Sequence, residues 1–268
     1  MKFDDIVLAL PKPGLKIGGW LQTTNSRMTY PWAGTNDSLE KVTLLTMFPA
    51  SLRGSLIVSC QAPPGDPLDD VETLRRIAIS VVRGGAGGLR ANGAACISAF
   101  REAGVPIIGI EKRKIGAEVV ITPDFESVRA ISDAGADVIA LDCTSNRSPS
   151  AEPWRDLLRR IHSELEKPVL ADIASFEDAM AAQEAGADAV ATTLYGFTPE
   201  TAQFRAVNWA LVTQLVKELH VPLIVEGHIS QPEEVRRALD MGAFAVVVGS
   251  AITRPESITA RFVKSLHG

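Results

Sequence analysis

Short, almost continuously apolar runs alternate with longer amphipathic segments from about residue 55 onward. Runs rich in β-branched residues are typical of strands buried on both faces, and the segments between them have helical spacing. The pattern predicts repeated βα units and a parallel sheet. Eight runs can be counted: Leu56–Cys60, Gly88–Ala91, Ile107–Ile110, Val138–Asp142, Val169–Asp172, Ala189–Thr192, Leu223–Glu226 and Ala245–Val248.

The residues that precede these runs alternate along the chain. Gly-Ala stands before the second, fourth, sixth and eighth runs, and proline stands before the third, fifth and seventh. Both suit a turn from helix to strand, since glycine supplies a left-handed cap and proline costs no ladder donor at a strand's first residue. Odd and even strands fill alternate core layers in a barrel, so the alternation favours a single α/β fold, a closed (β/α)8 TIM barrel, over an open doubly wound sheet.

Residues 1–46 differ from the rest of the chain. Prolines and glycines interrupt them, and Trp20 and Trp32 have no periodic context. We interpret this stretch as an irregular N-terminal extension, either disordered or an artefact of start-site assignment, because Met47 precedes all eight units. Residues 47–268 then form the barrel domain, which would hold any active site.

The composition excludes several classes of protein. Of the 268 residues, 46% are apolar and 22% are charged, which is usual for a folded domain. The net charge is −5 and the Lys and Arg residues are scattered, so we expect no nucleic-acid partner. No run approaches the roughly 18 apolar residues of a transmembrane helix, so we expect no membrane partner.

The N-terminus and the cysteines indicate the compartment. The apolar run at residues 6–10 is too short, and its surroundings too acidic, for a signal peptide, so the cytoplasm is expected. Cys60, Cys96 and Cys143 are widely spaced, with no CxxC pair and no nearby histidine cluster. This predicts reduced thiols, with neither a disulfide framework nor a zinc site.

Polar side chains end or follow the apolar runs, at the edge where a barrel forms its active site. So many charged residues at buried strand ends require a function or, alternatively, a structural network of salt bridges. The candidates are Gln61, Arg90, Lys112, Asp142, Asp172, Thr192, Thr193, Glu226 and Arg254.

Lys112 follows the third run. Desolvation and neighbouring cations would lower its pKa and leave the neutral amine available as a base. Glu111, Arg113 and Lys114 flank it, and the spacing does not show which side chain points inward. A solvated loop charge is therefore an equal interpretation.

The carboxylates at strand ends differ in context. Glu226 precedes Gly227, which allows a ligand close to the backbone, so a functional role is favoured. For Asp142 and Asp172, capping of the next helix or anchoring of a loop is the stronger alternative.

The loops after the last two runs contain the small residues that a phosphate site in a barrel requires. They offer Gly227 and His228 in one loop and Gly249 and Ser250 in the other. His228 is a candidate for a phosphate contact or a catalytic acid, although a histidine in a loop more often lies at the surface without such a role. Tyr195 and Phe197, which follow the sixth run, are candidates for a lid or sugar wall, with core packing as an equal alternative.

Eight stretches between about residues 54 and 264 carry a family resemblance, in order and with nearly constant spacing. They are Leu56–Ala62, Arg90–Gly93, Ile108–Arg113, Ile121–Pro123, Ala140–Asp142, Ala171–Ile173, Thr192–Pro199 and Gly249–Pro255. Together they closely resemble the bacterial N-acetylmannosamine-6-phosphate 2-epimerases.

The resemblance implies interconversion of N-acetylmannosamine 6-phosphate and N-acetylglucosamine 6-phosphate in sialic acid and aminosugar catabolism, without a metal or other cofactor. It implies that Lys112 removes and returns the proton at C2 and that Glu226 works with it. Lysine and arginine side chains can supply the proton transfer and the oxyanion stabilisation that such an inversion needs. The family's substrate-binding positions fall on Gln61, Arg90, Asp172 and Arg254. The implied partner is a phosphosugar substrate, and a homodimer is left open as the assembly.

Three departures from the family pattern concern the ligand. His228 stands where the family usually has arginine, which predicts a weaker or pH-dependent phosphate contact. Ser250 replaces a glycine, and Tyr195 and Phe197 replace a serine and a tyrosine. The base and the carboxylate are retained. Another phosphosugar isomerase, or a silent barrel that binds a phosphosugar as a regulator, remain alternatives.

Overall fold

The computed structural model describes residues 48–115 and 118–266. The interpretation of residues 1–46 as an irregular extension lies outside these described residues. All of the described residues belong to the unit Val42–Gly268.

Eight parallel strands close into a barrel, as the apolar runs predict. Around the barrel the order is β1, β2, β3, β6, β7, β8, β9 and β10, and β10 pairs with β1. These strands are β1 (Leu56–Cys60), β2 (Gly88–Asn92), β3 (Ile107–Ile110), β6 (Val138–Asp142), β7 (Val169–Asp172), β8 (Ala189–Ala191), β9 (Leu223–Glu226) and β10 (Ala245–Val248). The TIM barrel is therefore confirmed, and only β2 and β8 differ from the predicted bounds, each by one residue at its end.

Two further strands form a feature that the sequence pattern did not predict. β4 (Lys112–Ile115) and β5 (Glu118–Ile121) form an antiparallel hairpin directly after β3. The hairpin places Lys112 opposite Ile121 at its base. A run of charged residues at 111–114 hides the strand from a search for apolar segments.

Helices cover the outside of the barrel, and polar side chains cap several of them. Asp70, Asp124, Ser175 and Asn208 each accept a hydrogen bond from a backbone N–H of the first turn. Among the described residues no helix combines the length and the apolar character that crossing a bilayer requires. The helices are α1 (Val71–Arg83), α2 (Ala94–Phe100), α3 (Phe125–Asp133), α4 (Trp154–Arg160), α5 (Phe176–Glu184), α6 (Trp209–Glu218), α7 (Pro232–Asp240), α8 (Ser250–Thr253) and α9 (Pro255–Lys264).

The core has two parts because side chains alternate between the two faces of each strand. One part fills the barrel and includes Ile57, Ile108 and Ile110. The other packs the outer face of the strands against the helices. This alternation decides which residues at the carboxyl ends of the strands point into the barrel.

Gly109 shows how closely the outer layer packs. A Cβ atom added there would lie 2.7 Å from the Cβ of Ala136 and 3.0 Å from Cδ1 of Ile97. We expect Gly109→Ala to lower the free energy of unfolding by about 1–3 kcal/mol, because the core must shift to admit the methyl group. Urea unfolding would measure the change.

The control is the double variant with Ala136→Gly. It removes the closest contact, so the two substitutions together should cost less than the sum of their separate effects. Strict additivity would contradict the packing explanation.

Candidate active site

A cavity of about 820 Å³ opens at the carboxyl ends of the barrel strands. Ten residues were predicted to be catalytic, substrate-binding or phosphate-binding. The structure brings nine of them to the wall of this cavity: Gln61, Arg90, Lys112, Glu226, Gly227, His228, Gly249, Ser250 and Arg254. The tenth, Asp172, is fully buried beneath Arg90 and does not line the cavity.

A charge network forms the floor of the cavity. Arg90 donates from Nη1 and Nη2 to the two carboxylate oxygens of Asp172, over 2.9 and 2.5 Å. Arg90 Nη1 also donates to Oε2 of Glu226, over 2.8 Å. The side chains of Arg90, Asp172 and Glu226 are 1%, 0% and 12% exposed, so this guanidinium is held by two carboxylates away from bulk water.

Thr193 joins the two carboxylates of this network. Its Oγ1 lies 2.6 Å from Oδ1 of Asp172 and 3.0 Å from Oε2 of Glu226. The single hydroxyl hydrogen can serve only one of these oxygens at a time. Thr193 can therefore donate to Glu226 or to Asp172, but not to both at once.

The alternation of side chains along the strands builds this floor. In β2, Leu89 and Ala91 pack outward against the helices, so Arg90 between them points into the barrel. The same alternation directs Asp172 and Glu226 inward at the ends of β7 and β9.

Burial and mutual attraction shift the pKa values in the network. Burial alone would lower the pKa of Arg90, but the charges of Asp172 and Glu226 raise it. Burial raises the pKa of Glu226, and the charge of Asp172 adds to this effect, while Arg90 and Lys112 oppose it. Glu226 therefore gains a proton more readily than a solvated glutamate does.

Lys112 stands beside the network at the start of the β4–β5 hairpin. Its backbone N–H donates to Oδ1 of Asn92 over 2.8 Å, and its exposed side chain lines the cavity. Desolvation and the charge of Arg90 lower its pKa, while Glu226 and Asp172 act in the opposite direction. The neutral amine that a base requires is thus more accessible here than in a solvated lysine.

The two glycine-containing loops lie side by side at the cavity wall. Gly227 has φ 97° and His228 has φ 60°, so the first loop turns sharply away from β9. Gly249 packs against β1, where an added Cβ would lie at van der Waals contact, 3.4 Å from the Cβ of Ser59. Such turns expose backbone N–H groups, which suits an anionic ligand.

Two polar atoms at this end are buried and have no hydrogen-bond partner among the described residues, Gln61 Oε1 and Arg254 Nε. Arg254 is held through Nη2, which lies 2.9 Å from Oδ2 of Asp66. Gln61 donates from Nε2 to Oγ of Ser59 over 2.8 Å. Both side chains are oriented by a contact with the protein. Each keeps one unpaired polar atom, an acceptor on Gln61 and a donor on Arg254, that can form a hydrogen bond to a ligand.

The departures at His228, Tyr195 and Phe197 meet in one place. The ring of His228 stacks on Phe197 with centroids 5.2 Å apart and donates from Nε2 to the carbonyl oxygen of Tyr195 over 3.1 Å. Gly196 makes this possible, since an added Cβ would lie 2.2 Å from that nitrogen. Phe197 lines the cavity, whereas Tyr195 stacks on Phe204 with centroids 5.4 Å apart.

Two further cations at the cavity wall were missed by the sequence reasoning. Arg205 lies in the loop before α6, and Arg261 lies on α9 and donates to the carbonyl oxygen of Ser230 over 3.0 Å. Neither follows an apolar run, so no strand-end signal marks them. Asp142 does not line the cavity and accepts two hydrogen bonds from Thr144, as its loop-anchoring alternative predicted.

Side chains that could bind a metal ion do not cluster in the described part of the chain. Among the described residues no group of three or more His, Cys, Asp or Glu side chains could hold a metal ion. The expectation of no metal and no other cofactor stays a prediction.

Comparison with protein families gives a match over most of the barrel. A family model described as "Putative N-acetylmannosamine-6-phosphate epimerase" matches residues 74–268. A relative from Thermosynechococcus vestitus, described as a 2-epimerase of the same substrate, is 48% identical over 217 residues, which cover 80% of this chain and 94% of the relative. A relative with the same description from Clostridium perfringens is 42% identical, covering 80% and 98%.

Solved structures give the same result for the fold. The N-acetylmannosamine-6-phosphate 2-epimerase from Clostridium perfringens superposes with a TM-score of 0.76 at 40% identity, covering 80% of this chain and 94% of that one. A thiamine phosphate pyrophosphorylase from Pyrococcus furiosus has a TM-score of 0.53 at 17% identity, which indicates a shared fold only.

The buried network makes a prediction about stability. We expect Asp172→Asn to lower the free energy of unfolding by about 3–5 kcal/mol, because Arg90 keeps its buried charge and loses its bidentate partner. Urea unfolding would measure the loss. The matched control is Asp240→Asn, whose exposed pair with Arg236 is 3.8 Å long and should contribute almost nothing. Equal effects of the two substitutions would contradict the role given to the network.

Proposed function

This chain belongs to the N-acetylmannosamine-6-phosphate epimerase family, and from that membership we propose that it interconverts N-acetylmannosamine 6-phosphate and N-acetylglucosamine 6-phosphate. The reaction inverts C2 by removal of its proton from one face and delivery of a solvent-exchangeable proton to the opposite face, and it belongs to sialic acid and aminosugar catabolism. The observation that carries the proposal is the position of Lys112, whose amine shares the cavity with the buried Arg90–Glu226 pair.

Inversion at C2 sets two chemical requirements. The C2 proton becomes acidic when C1 is a carbonyl, so a base must take the proton while a cation stabilises the charge that develops on the C1 oxygen. Lys112 is the proposed base, since its lowered pKa makes the neutral amine available. Arg90 is the proposed electrostatic partner, because its charge is fixed at the cavity floor.

Glu226 and Asp172 have different proposed roles. Glu226 reaches the cavity and has a raised pKa, which suits a carboxyl group that exchanges a proton with Lys112 or the substrate. Asp172 is fully buried, so we propose that it acts through Arg90 and does not touch the substrate in this arrangement. Gln61 is the proposed contact for a sugar hydroxyl or amide, since its Oε1 lacks a partner among the described residues.

The phosphate group is proposed to bind between the loops after β9 and β10. Gly227, Gly249 and Ser250 would supply backbone N–H groups, and Arg254 would supply charge. His228 would contribute a ring wall through its stack on Phe197.

The reaction can be followed with purified protein and N-acetylmannosamine 6-phosphate in D₂O. We expect the gluco epimer to appear with deuterium at C2, observed by NMR, because the base exchanges its proton with solvent. Lys112→Ala should lower kcat by about 10²–10⁴-fold, the usual contribution of a general base. Since only the neutral amine accepts a proton, kcat should rise with pH through the pKa of Lys112 and fall as the amine is protonated at lower pH.

Lys114→Ala is the matched control, because Lys114 lies on the same strand but does not line the cavity. It should leave kcat unchanged. A folded protein that neither forms product nor exchanges the C2 proton would favour another phosphosugar or a binding role. A fully active Lys112→Ala variant would exclude the mechanism alone.

We further propose a cytoplasmic homodimer whose catalytic domain is residues 47–268. Cys60, Cys96 and Cys143 are free and buried, which suits a reducing compartment. Phe262 and Leu266, on and just after α9, are 72% and 76% exposed, and apolar surface of this kind favours association with a second copy.

A chain that begins at Met47 tests the domain and the dimer together. Light scattering is expected to give twice the mass of one chain, and kcat/KM is expected to equal that of the full-length protein. The mass of a single chain would contradict the dimer. Loss of activity in the chain that begins at Met47, while the full-length protein stays active, would contradict the domain bounds.

A further inference from the structure

Arg147, in the loop after β6, joins three segments of backbone near the β4–β5 hairpin. Its guanidinium donates to the carbonyl oxygens of residues 121–123, over 3.2, 2.9 and 3.0 Å, and to those of Asp142 and Glu152, each over 3.0 Å. These bonds use all five N–H donors of an arginine. The side chain therefore ties the end of the hairpin to the end of β6.

Thr122 makes a second tie at the same place. It is fully buried and has φ 50°, a left-handed conformation that a β-branched residue rarely adopts. Its Oγ1 donates to the carbonyl oxygen of Ala140 over 2.8 Å and accepts from the N–H of Glu111 over 3.3 Å. Its own N–H donates to the carbonyl oxygen of Glu111 over 2.7 Å.

The contacts of Arg147 and Thr122 involve the chain neighbours of Lys112, the proposed base, and the residues next to its partner across the hairpin. Glu111 precedes Lys112, and Ile121, opposite Lys112 across the hairpin, precedes Thr122. Neither Thr122 nor Arg147 lines the cavity. Their contacts thus fix the backbone of Lys112 without any contact with a ligand.

We propose that Arg147 and Thr122 are positioning residues that hold the Lys112 amine at the cavity floor. The inference rests on the proposed function, because it takes Lys112 as the base. A displaced base loses rate steeply, since proton transfer requires hydrogen-bond reach. The groups that face the amine are Arg90, Glu226 and Asp172, so loosening the hairpin would also change its electrostatic surroundings.

The test uses four variants of the full chain in the D₂O assay. Arg147→Lys is expected to lower kcat by about 10²-fold with KM unchanged. One ammonium group cannot donate to five carbonyl oxygens, so the hairpin loosens and the Lys112 amine moves away from its position for proton transfer. Thr122→Val should lower kcat in the same way. Thr122→Ser, which keeps the hydroxyl that Thr122→Val removes, should retain the wild-type kcat. Arg101→Lys is the control, since Arg101 also bonds a backbone carbonyl, that of Gly135, but away from the cavity.

A second readout separates positioning from general loss of structure. An amine that moves away from Arg90 and into water regains a higher pKa, so the acid limb of kcat should move to higher pH in Arg147→Lys and Thr122→Val. Partial unfolding lowers the amplitude of kcat and leaves that limb in place. A lower amplitude with an unmoved limb, or an unchanged kcat, would overturn the proposal.

The pKa of Lys112 can also be measured without turnover, from the pH dependence of its acetylation by acetic anhydride, quantified by peptide mass spectrometry. The positioning role requires this pKa to rise in Arg147→Lys and Thr122→Val and to stay constant in Arg101→Lys and Thr122→Ser. A wild-type protein without epimerase activity that still shows the shift would overturn the proposed function and leave the positioning of the amine intact. An active wild-type protein without the shift would overturn only the positioning role.

Discussion

The site depends on one buried ion pair, that of Arg90 and Asp172. Removing two such ions from water costs on the order of several kcal/mol each unless they pair closely, and the bidentate geometry supplies that pairing. The pair also requires a closed barrel. β2 and β7 are three strands apart in the order of the sheet, about 14 Å in an open sheet with the usual spacing, whereas closure brings the two side chains into contact across the interior.

Glu226 and Lys112 take their properties from this pair. Glu226 shares the Arg90 guanidinium with Asp172. The attraction of Arg90 lowers the pKa of Glu226 and the repulsion of Asp172 raises it, and burial leaves that pKa raised overall. The amine meets the same guanidinium as a repulsive charge, which adds to the effect of desolvation. Arg90 thus favours a neutral amine at Lys112, whereas burial and the charge of Asp172, acting against Arg90, make Glu226 able to take up a proton.

The floor and the wall of the cavity are built differently. At the floor, the inward-facing residues Arg90, Asp172 and Glu226 of three strands set the geometry. At the wall, loop residues contact one another, since the ring of His228 stacks on Phe197 and donates to the carbonyl oxygen of Tyr195. Because these three residues are in contact, substitutions among them are expected to have non-additive effects.

The sequence by itself determined the eight strands, because strands buried on both faces must be almost continuously apolar. Nine of the ten residues predicted to be catalytic, substrate-binding or phosphate-binding line the cavity, because a barrel gathers the carboxyl ends of its strands at one opening. The spacing left open whether Lys112 points inward, and the structure places its side chain in the cavity lining.

Only the tertiary structure decided the β4–β5 hairpin, the burial of Asp172 and the presence of Arg205 and Arg261 at the cavity wall. The contacts of Arg90 with Asp172 and Glu226 join residues 82 and 136 positions apart in the chain. Local propensity and periodicity describe what a segment does with its neighbours in sequence. Contacts across a barrel follow instead from closure and register, which depend on all of the strands at once.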